Sequence, residues 1–223
     1  MKKQATPEAK THMYVSEAVR TRRAVRHFDA NHQLNDRELR SLLSAVALAP
    51  TAYNIQNRHV VVALEQETKG LLQAAAFGQE QVRDGSAVFV LAGDLKAHRR
   101  TDRFLRNAPA HVRQQMEPMI EDLFEGHQAL LREEAARSAG MAGMSLMLTA
   151  KELGYDSCPM TGFDPGQVSE LLGLDDDHPP LMLVVVGKAT APAHGRLGLL
   201  ELGESVSLER FGNRTITGVV DAA

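Results

Sequence analysis

The sequence predicts a three-layer α+β domain. Three apolar runs rich in β-branched residues, at positions 59–64, 87–92 and 181–186, are typical of buried strands. Helical patterns lie around them, and the pattern at residues 140–153 is apolar nearly all round, as expected of a core helix. Helices and strands do not alternate regularly, which favours an α+β sheet covered by helices over repeated βαβ units.

The N-terminal half begins with a predicted short helix at residues 14–20. Asn35 is a good N-cap and Glu38 follows three residues later, so a capping box opens the second helix. This helix should end before Pro50. The first strand follows, and a helix at residues 68–77 leads to the second strand.

The C-terminal half contains the most polar region, residues 99–138, which is predicted to be helical and broken at Pro109 and Pro118. The core helix after it should end at Gly154, which suits the left-handed position past a helix C-terminus. Asp164-Pro165 then predicts a new helix, with aspartate as cap and proline at the first helical position.

Composition narrows the class of protein. The chain has 223 residues, 43% of them hydrophobic and 24% charged, so we expect one domain over residues 1–223. A net charge of −3 argues against a nucleic-acid partner. The single cysteine fits a reducing compartment, and no apolar run approaches the roughly 18 residues needed to span a bilayer. We therefore expect a soluble cytoplasmic protein with no membrane partner.

Three arginines lie within five positions, in Arg22-Arg23-Ala24-Val25-Arg26. Guanidinium groups bind phosphate bidentately and stay charged at any working pH, so this segment is a candidate phosphate site. The alternative is an ordinary solvated basic run.

A second candidate segment joins the predicted second helix to the first strand. It contains Pro50, Thr51, Ala52, Asn54 and Gln56. Small and amide-bearing side chains suit the close approach of a planar ligand that forms hydrogen bonds. The alternative is an ordinary helix-to-strand loop.

A third segment, Cys158-Pro159-Met160-Thr161-Gly162-Phe163, follows the core helix. Gly162 would permit close approach to backbone N–H groups. The alternative is a short strand and a turn. Cys158 fits a packed thiol better than a nucleophile, because no histidine lies near it in the sequence.

These three segments, in this order, resemble the FMN-dependent nitroreductase family. The family elements are Arg-Arg-Ser-x-Arg, Ala-Pro-Ser-x-x-Asn-x-Gln-Pro-Trp and Pro-x-x-Gly-Phe, and the resemblance extends over residues 15–211. Four positions depart from the family pattern. Ala24 replaces the usual serine, Asn57 and Arg58 replace Pro-Trp, and Thr161 stands where several relatives carry glutamate.

The resemblance implies a three-layer α/β/α fold with a mostly antiparallel sheet, built as an intertwined homodimer with two flavins at its interface. It also implies a basic residue near the C-terminus on the phosphate, for which Arg196 is the first candidate and Arg214 and Lys188 are alternatives. Gln79 and Gln81 match a position near the flavin ring. The FMN contacts implied in this way are Arg22, Arg23, Ala24, Arg26, Pro50, Thr51, Ala52, Asn54, Gln56, Gln81, Pro159, Met160, Thr161, Gly162 and Arg196.

By the same resemblance, NADH or NADPH would deliver hydride to FMN, and a small acceptor would then be reduced: a nitroaromatic, a quinone, an aldehyde or an enone. The cofactor performs such chemistry, so no catalytic residue of the protein is predicted. Residues 99–138 would supply the pocket wall, with Phe104 and Phe124 as aromatic contacts.

Two alternatives remain at the level of the sequence. A flavin-binding protein without turnover, for storage or sensing, would need the same phosphate contacts. A protein without flavin would use the arginines as a partner-binding surface. The chain has no dinucleotide-binding glycine motif, P-loop or zinc motif, and residues 175–178 fit an exposed acidic loop better than a metal site.

Overall fold

A computed structural model describes residues 13–213, with a four-stranded antiparallel sheet at its centre. The strand order is β1-β2-β4-β3, so β1 and β3 form the two edges. The strands are β1 (Arg58–Ala63), β2 (Ala87–Gly93), β3 (Asp156–Met160) and β4 (Pro180–Gly187). The predicted α+β class and antiparallel sheet are confirmed. β3 includes residues 158–160, the first half of the third segment, for which a short strand and a turn were the alternative.

Nine helices accompany this sheet in the described part of the chain. They are α1 (Val15–Thr21), α2 (Asp36–Leu48), α3 (Gln66–Ala75), α4 (Glu80–Asp84), α5 (Thr101–Phe104), α6 (Ala110–Phe124), α7 (Gln128–Glu152), α8 (Pro165–Leu172) and α9 (Leu202–Ser205). None of the helices within residues 13–213 is long and apolar enough to cross a membrane.

The helices cover both faces of the sheet, which gives the three predicted layers. On one face α3, α4 and α8 pack over the strands, with Leu72 and Val168 fully buried. On the other face α2 and α7 bury Leu42 and Leu146 against Phe89 of β2. Burial on both faces explains why the two central strands read as continuous apolar runs.

The predicted helix ends have the expected geometry. Asn35 accepts a hydrogen bond from the Glu38 N–H at 3.0 Å, and the Glu38 carboxylate accepts one from the Asn35 N–H at 2.9 Å, so the capping box is present. Gly154 has a φ of 77° after α7. Asp164 caps α8 by accepting a hydrogen bond from the Gln167 N–H at 3.0 Å.

The prediction of a helix break at Pro118 was wrong, whereas Pro109 does precede α6. Proline removes one backbone donor, but α6 continues past it because Ile120 and Phe124 are fully buried beyond that point. They belong to a third apolar cluster, which we call the satellite core. Its buried members are Ile55, Leu105, Ile120, Phe124 and Leu131.

The core helix is also longer than predicted. It begins at Gln128 and runs for 25 residues as α7, because its polar first half buries Leu131 and Ala135 along one side. Arg214, the alternative phosphate-binding residue, lies outside the described residues. So do residues 215–220, for which the sequence also predicts a last strand.

Candidate active site

Backbone pairing fixes the arginine segment beside the edge strand β3. The Val25 N–H donates to the Ser157 carbonyl at 3.0 Å, and Ala24 forms a parallel bridge with Ser157. Phe28 is also buried, and its ring packs closely on Gly187. A Cβ added to Gly187 would lie 2.9 Å from the Phe28 ring. The segment is therefore held at its centre and just past its C-terminal end, which places its arginines beside β3 at the edge of the sheet.

Three guanidinium groups, those of Arg22, Arg23 and Arg196, converge at this edge. The pKa of Arg22 is lowered by burial first, and then by the positive charges of Arg196 and Arg23. The Arg22 Nε is buried without a hydrogen-bond partner. Within residues 13–213, no carboxylate forms a salt bridge with any of these three groups. Such a concentration of unneutralised positive charge suits an anion of high charge, such as a phosphate.

The structure separates the candidates for the C-terminal basic residue. Arg196 comes close to Arg22, with its Nη2 at 3.5 Å from the Arg20 carbonyl. Lys188 is engaged elsewhere, because its Nζ donates to the Gly154 carbonyl at 2.7 Å and lies 4.0 Å from the centre of the Tyr155 ring. Arg196 is thus the better placed of the two for a phosphate.

The other arginines differ in their freedom. Arg23 folds back on the end of α1, where its Nη1 donates to the Arg20 and Arg22 carbonyls at 2.7 and 3.0 Å. Arg26 is exposed and lies near the buried Cys158. Burial raises the pKa of the Cys158 thiol, and the charge of Arg26 lowers it by less. Cys158 is therefore a packed thiol.

The turn after β3 presents exposed backbone. Thr161 and Gly162 are exposed, and the Gly162 carbonyl accepts a hydrogen bond from Gln79 Nε2 at 2.9 Å. Gln81 is buried behind the turn, where its Nε2 contacts Gln79 Oε1 at 3.0 Å and Met160 Sδ at 3.7 Å. A Cβ at Gly162 would meet only Gln79 Nε2, at 3.6 Å, so packing does not require glycine there. The small residue leaves the surface open for a ligand.

Sequence reasoning missed Phe77, which lies beside this turn. It is 72% exposed and has a φ of 57°, which is unusual for a bulky residue. Phe77 belongs to the turn between α3 and α4, and two hydrogen bonds hold that turn close to the turn after β3. The Asp164 N–H donates to the Ala75 carbonyl at 2.8 Å, and Gln79 Nε2 donates to the Gly162 carbonyl. The feature of the sequence that could have identified Phe77 is an aromatic residue directly before a glycine, Gly78, just past the end of a helix.

The Pro50–Gln56 loop has a strained backbone. Tyr53, Asn54 and Gln56 have φ values of 50°, 58° and 50°, although none is glycine. Left-handed non-glycine residues cluster at functional sites because they cost free energy and persist only where surrounding contacts hold them. The Asn54 amide donates to the Phe104 carbonyl at 3.1 Å, and the Gln56 N–H donates to Thr51 Oγ1 at 3.0 Å.

The two residues that depart from the family's Pro-Trp hold the end of this loop. The buried Asn57 accepts a hydrogen bond from Ser138 Oγ of α7 at 2.7 Å. The Arg58 Nη2 donates to the Ala47 and Ala49 carbonyls at 2.7 and 2.9 Å and so joins the loop exit to its entry. Burial lowers the pKa of Arg58. These structural roles were not apparent from the sequence.

The predicted site residues fall into two groups on opposite edges of the sheet. The first group, which we call the β3 half-site, contains the arginines, the β3 turn, Gln79 and Gln81. The second, the β1 half-site, is the Pro50–Gln56 loop. The strand register puts the start of β1 and the end of β3 at the same end of the sheet. Two strands lie between them, so the edge strands are about 14 Å apart.

One aromatic prediction was wrong. Phe124 is fully buried in the satellite core, so its side chain cannot contact a ligand in this structure. Phe104 is partly buried, and its carbonyl contacts Asn54. Within residues 13–213, no group of three histidine, cysteine or acidic residues could hold a metal ion.

The protein has an antiparallel sheet between two helical layers. An arginine cluster lies along one edge of the sheet and a strained loop with amide side chains lies at the other. These features define an α+β enzyme of the nitroreductase class. The model of the Nitroreductase family matches residues 19–188, and the chain belongs to this family of oxidoreductases. This agrees with the resemblance found in the sequence.

Individual relatives are similar along most of their length. Protein DrgA of Synechocystis sp. is 36% identical over 200 residues, covering 87% of this chain and 95% of DrgA. MhqN of Bacillus subtilis, named as an NAD(P)H nitroreductase, is 34% identical over 177 residues, covering 76% and 86%. A crystal structure of a nitroreductase-class protein from Exiguobacterium sibiricum in complex with FMN superposes with a TM-score of 0.79 at 30% identity, covering 88% and 98%.

Proposed function

We propose that this enzyme is an FMN-dependent oxidoreductase that takes hydride from NADH or NADPH and reduces a small electrophilic acceptor. Nitroaromatics, quinones, aldehydes and enones are the acceptor classes. The FMN bound to the Exiguobacterium sibiricum protein and the name of MhqN support the cofactor and the nicotinamide co-substrate. We place the whole chain in one such domain, acting in the cytoplasm.

The arginine cluster is the observation that carries the proposal. Arg196 and Arg23 repel the positive charge of Arg22, whose buried Nε has no hydrogen-bond partner among residues 13–213. A phosphate would neutralise this charge and could accept a hydrogen bond from that nitrogen. The residues present therefore fit the phosphate end of FMN.

The chain's own residues would bind and orient the cofactor. The arginines would bind the phosphate, and the exposed Thr161–Gly162 backbone would lie against the flavin ring. Asn54 and Gln56 would donate or accept hydrogen bonds at the ring from the other half-site. FMN, when bound, supplies the electron-transfer chemistry, so the protein needs no acid–base pair of its own.

We further propose a homodimer in which each flavin is held by the β3 half-site of one copy and the β1 half-site of the other. The separation of the two half-sites by two strands supports this arrangement. The stretch after Gly195 also supports a dimer, because the side chains of Leu197 and Phe211 are fully exposed and Leu200 is 63% exposed. Such apolar exposure is typical of surfaces that a second chain covers.

We expect the purified protein to contain about one FMN for each chain, since one set of contacts is present per chain. Chromatography of the supernatant released by heat should identify FMN. Anaerobic mixing with NADH and with NADPH should then bleach the flavin, and a panel of nitroaromatic, quinone and enone acceptors should restore its colour.

The outcomes of this experiment separate the alternatives. FAD, or no flavin after reconstitution, contradicts the proposed cofactor. Bound FMN that neither nucleotide bleaches identifies a flavin-binding protein without turnover. FMN bleached by one nucleotide and reoxidised by one acceptor class supports the proposal and names the co-substrate.

Phe77 is predicted to contact the acceptor. Replacement of Phe77 by glycine should leave FMN binding unchanged and raise the KM for aromatic acceptors about two- to tenfold, the range expected for one lost aromatic contact. The same change should preserve or raise Tm, because glycine adopts a positive φ without strain and the ring is 72% exposed.

Steady-state kinetics and thermal unfolding check both parts of this prediction. Leu71→Ala is the control, since Leu71 is also an exposed apolar residue and lies on α3, the helix that precedes Phe77. An unchanged KM for Phe77→Gly would exclude the contact, and a lower Tm would show that the ring stabilises the fold instead.

A further inference from the structure

The satellite core includes part of the β1 half-site. Ile55 is 2% exposed and packs with Leu105, Ile120 and Phe124, and Ala52 packs against the same cluster. Ala52 and Ile55, on either side of the exposed Tyr53 and Asn54, are therefore anchored against Leu105 and α6. The end of the loop is held by α2 and α7 through Arg58 and Asn57. The position of Asn54 depends on both supports.

Within this cluster, Phe124 contacts the most strained part of the loop. The ring of Tyr53 meets the ring of Phe124 edge-on, with centroids 6.4 Å apart and planes at 89°. Tyr53 and Asn54 are the two consecutive left-handed residues, and Asn54 is also tied to the Phe104 carbonyl. Such a backbone relaxes unless neighbours hold it, and the ring of Phe124 is a neighbour of Tyr53, the residue directly before Asn54.

The position of Phe124 is itself fixed at the end of α6. The next residue, Glu125, accepts a hydrogen bond from Arg99 Nε at 2.9 Å and contacts His98 Nε2 at 3.1 Å. Hydrogen bonds from Arg99 first, and then from His98, lower the pKa of Glu125 to about 2. The carboxylate therefore stays ionised and keeps this helix end beside residues 98–99.

We propose that Phe124 is a positioning residue for the flavin site: through Tyr53 it holds the loop in the left-handed conformation that presents Asn54 and Gln56 to the cofactor. This rests on the proposed FMN function. Phe124 has no ligand contact of its own, because its side chain is fully buried. Its replacement should change flavin binding only through the loop.

The test compares the same substitution in two cores. Phe124→Leu removes the ring contact with Tyr53, and Phe89→Leu makes an identical change at a fully buried position of β2, in the core between the sheet and α7. Phe124→Leu should weaken FMN affinity about two- to tenfold, alter the visible circular dichroism of the bound flavin, and shift the amide NMR signals of residues 53–56 in the apo protein. Phe89→Leu should lower Tm without these three changes.

Tyr53→Leu provides a second route if Phe124→Leu folds poorly. It removes the same contact from the partly exposed side, and its effect on FMN affinity should not add to that of Phe124→Leu. Equal effects of Phe124→Leu and Phe89→Leu, additive effects at residues 53 and 124, or unmoved amide signals at residues 53–56 would each overturn the proposal. Wild-type protein that binds no FMN would instead contradict the proposed function, and the apo NMR comparison would still test the coupling.

Discussion

Replacement of Arg22 by alanine is expected to weaken FMN binding roughly ten- to hundredfold, because a hydrogen bond to a charged group contributes about 1.5–3 kcal/mol. Titration of apo-protein with FMN measures the loss. Riboflavin, which lacks the phosphate, should lose far less affinity, so the preference for FMN over riboflavin should fall. This ratio separates loss of a phosphate contact from general damage to the site.

The stability of the apo-protein gives an independent check of the role of Arg22, because Arg22→Ala should weaken FMN binding without destabilising the fold. A basic group whose pKa is lowered by folding destabilises the fold in its charged form, and the pKa of Arg22 is lowered by burial and by two neighbouring arginines. Arg22→Ala should therefore leave the apo Tm unchanged or raise it. Salt bridges do not oppose this, because Arg22 forms none within residues 13–213.

Arg137→Ala is the matched control. Arg137 is an exposed arginine on α7 that pairs with Glu133 and Glu134 of its own helix. Its loss should leave the affinity for FMN unchanged. If Arg22→Ala behaves in the same way as this control, Arg22 does not belong to the site.

Activity should be partly restored when two variants with impaired activity are combined in one dimer. Arg22→Ala damages the β3 half-site, and Asn54→Ala damages the β1 half-site. In a mixed dimer that shares its sites, one flavin site would contain both defects and the other would contain none. About half of the wild-type activity per dimer should return if the two sites act independently.

The experiment requires co-expression with two different tags and isolation of the mixed dimer. The two parent homodimers are the controls, because every flavin site of each parent contains one defect. If a single chain supplied both half-sites, every site of the mixed dimer would keep one defect. Activity no greater than the average of the parents would then rule out the shared site.

The candidate segments could be located from the sequence because they depend on residue type and order. Arginines suit phosphate wherever the fold places them, and the loop before β1 combines small residues with amides. The resemblance also identified Arg196 before Lys188, and the structure supports that order by placing Lys188 on Tyr155. The contributions of Asn57, Arg58 and Phe77 could not be predicted, because each depends on a contact with a distant segment or on a backbone angle.

Local chemistry alone determined the ends of the helices and the central strands. The Asn35–Glu38 capping box, the Gly154 turn and the Asp164 cap involve residues no more than a few positions apart, so the sequence specifies them directly. The apolar runs of β2 and β4 likewise specify buried strands.

Only the tertiary structure decided which segments meet. It continued α6 through Pro118 because Ile120 and Phe124 are buried beyond it, and it used Phe124 to support a loop rather than to line a pocket. It also placed the arginines on β3 and the Asn54 loop on β1, at opposite edges. Strand order and burial follow from packing between segments far apart in the chain, which short-range patterns do not encode.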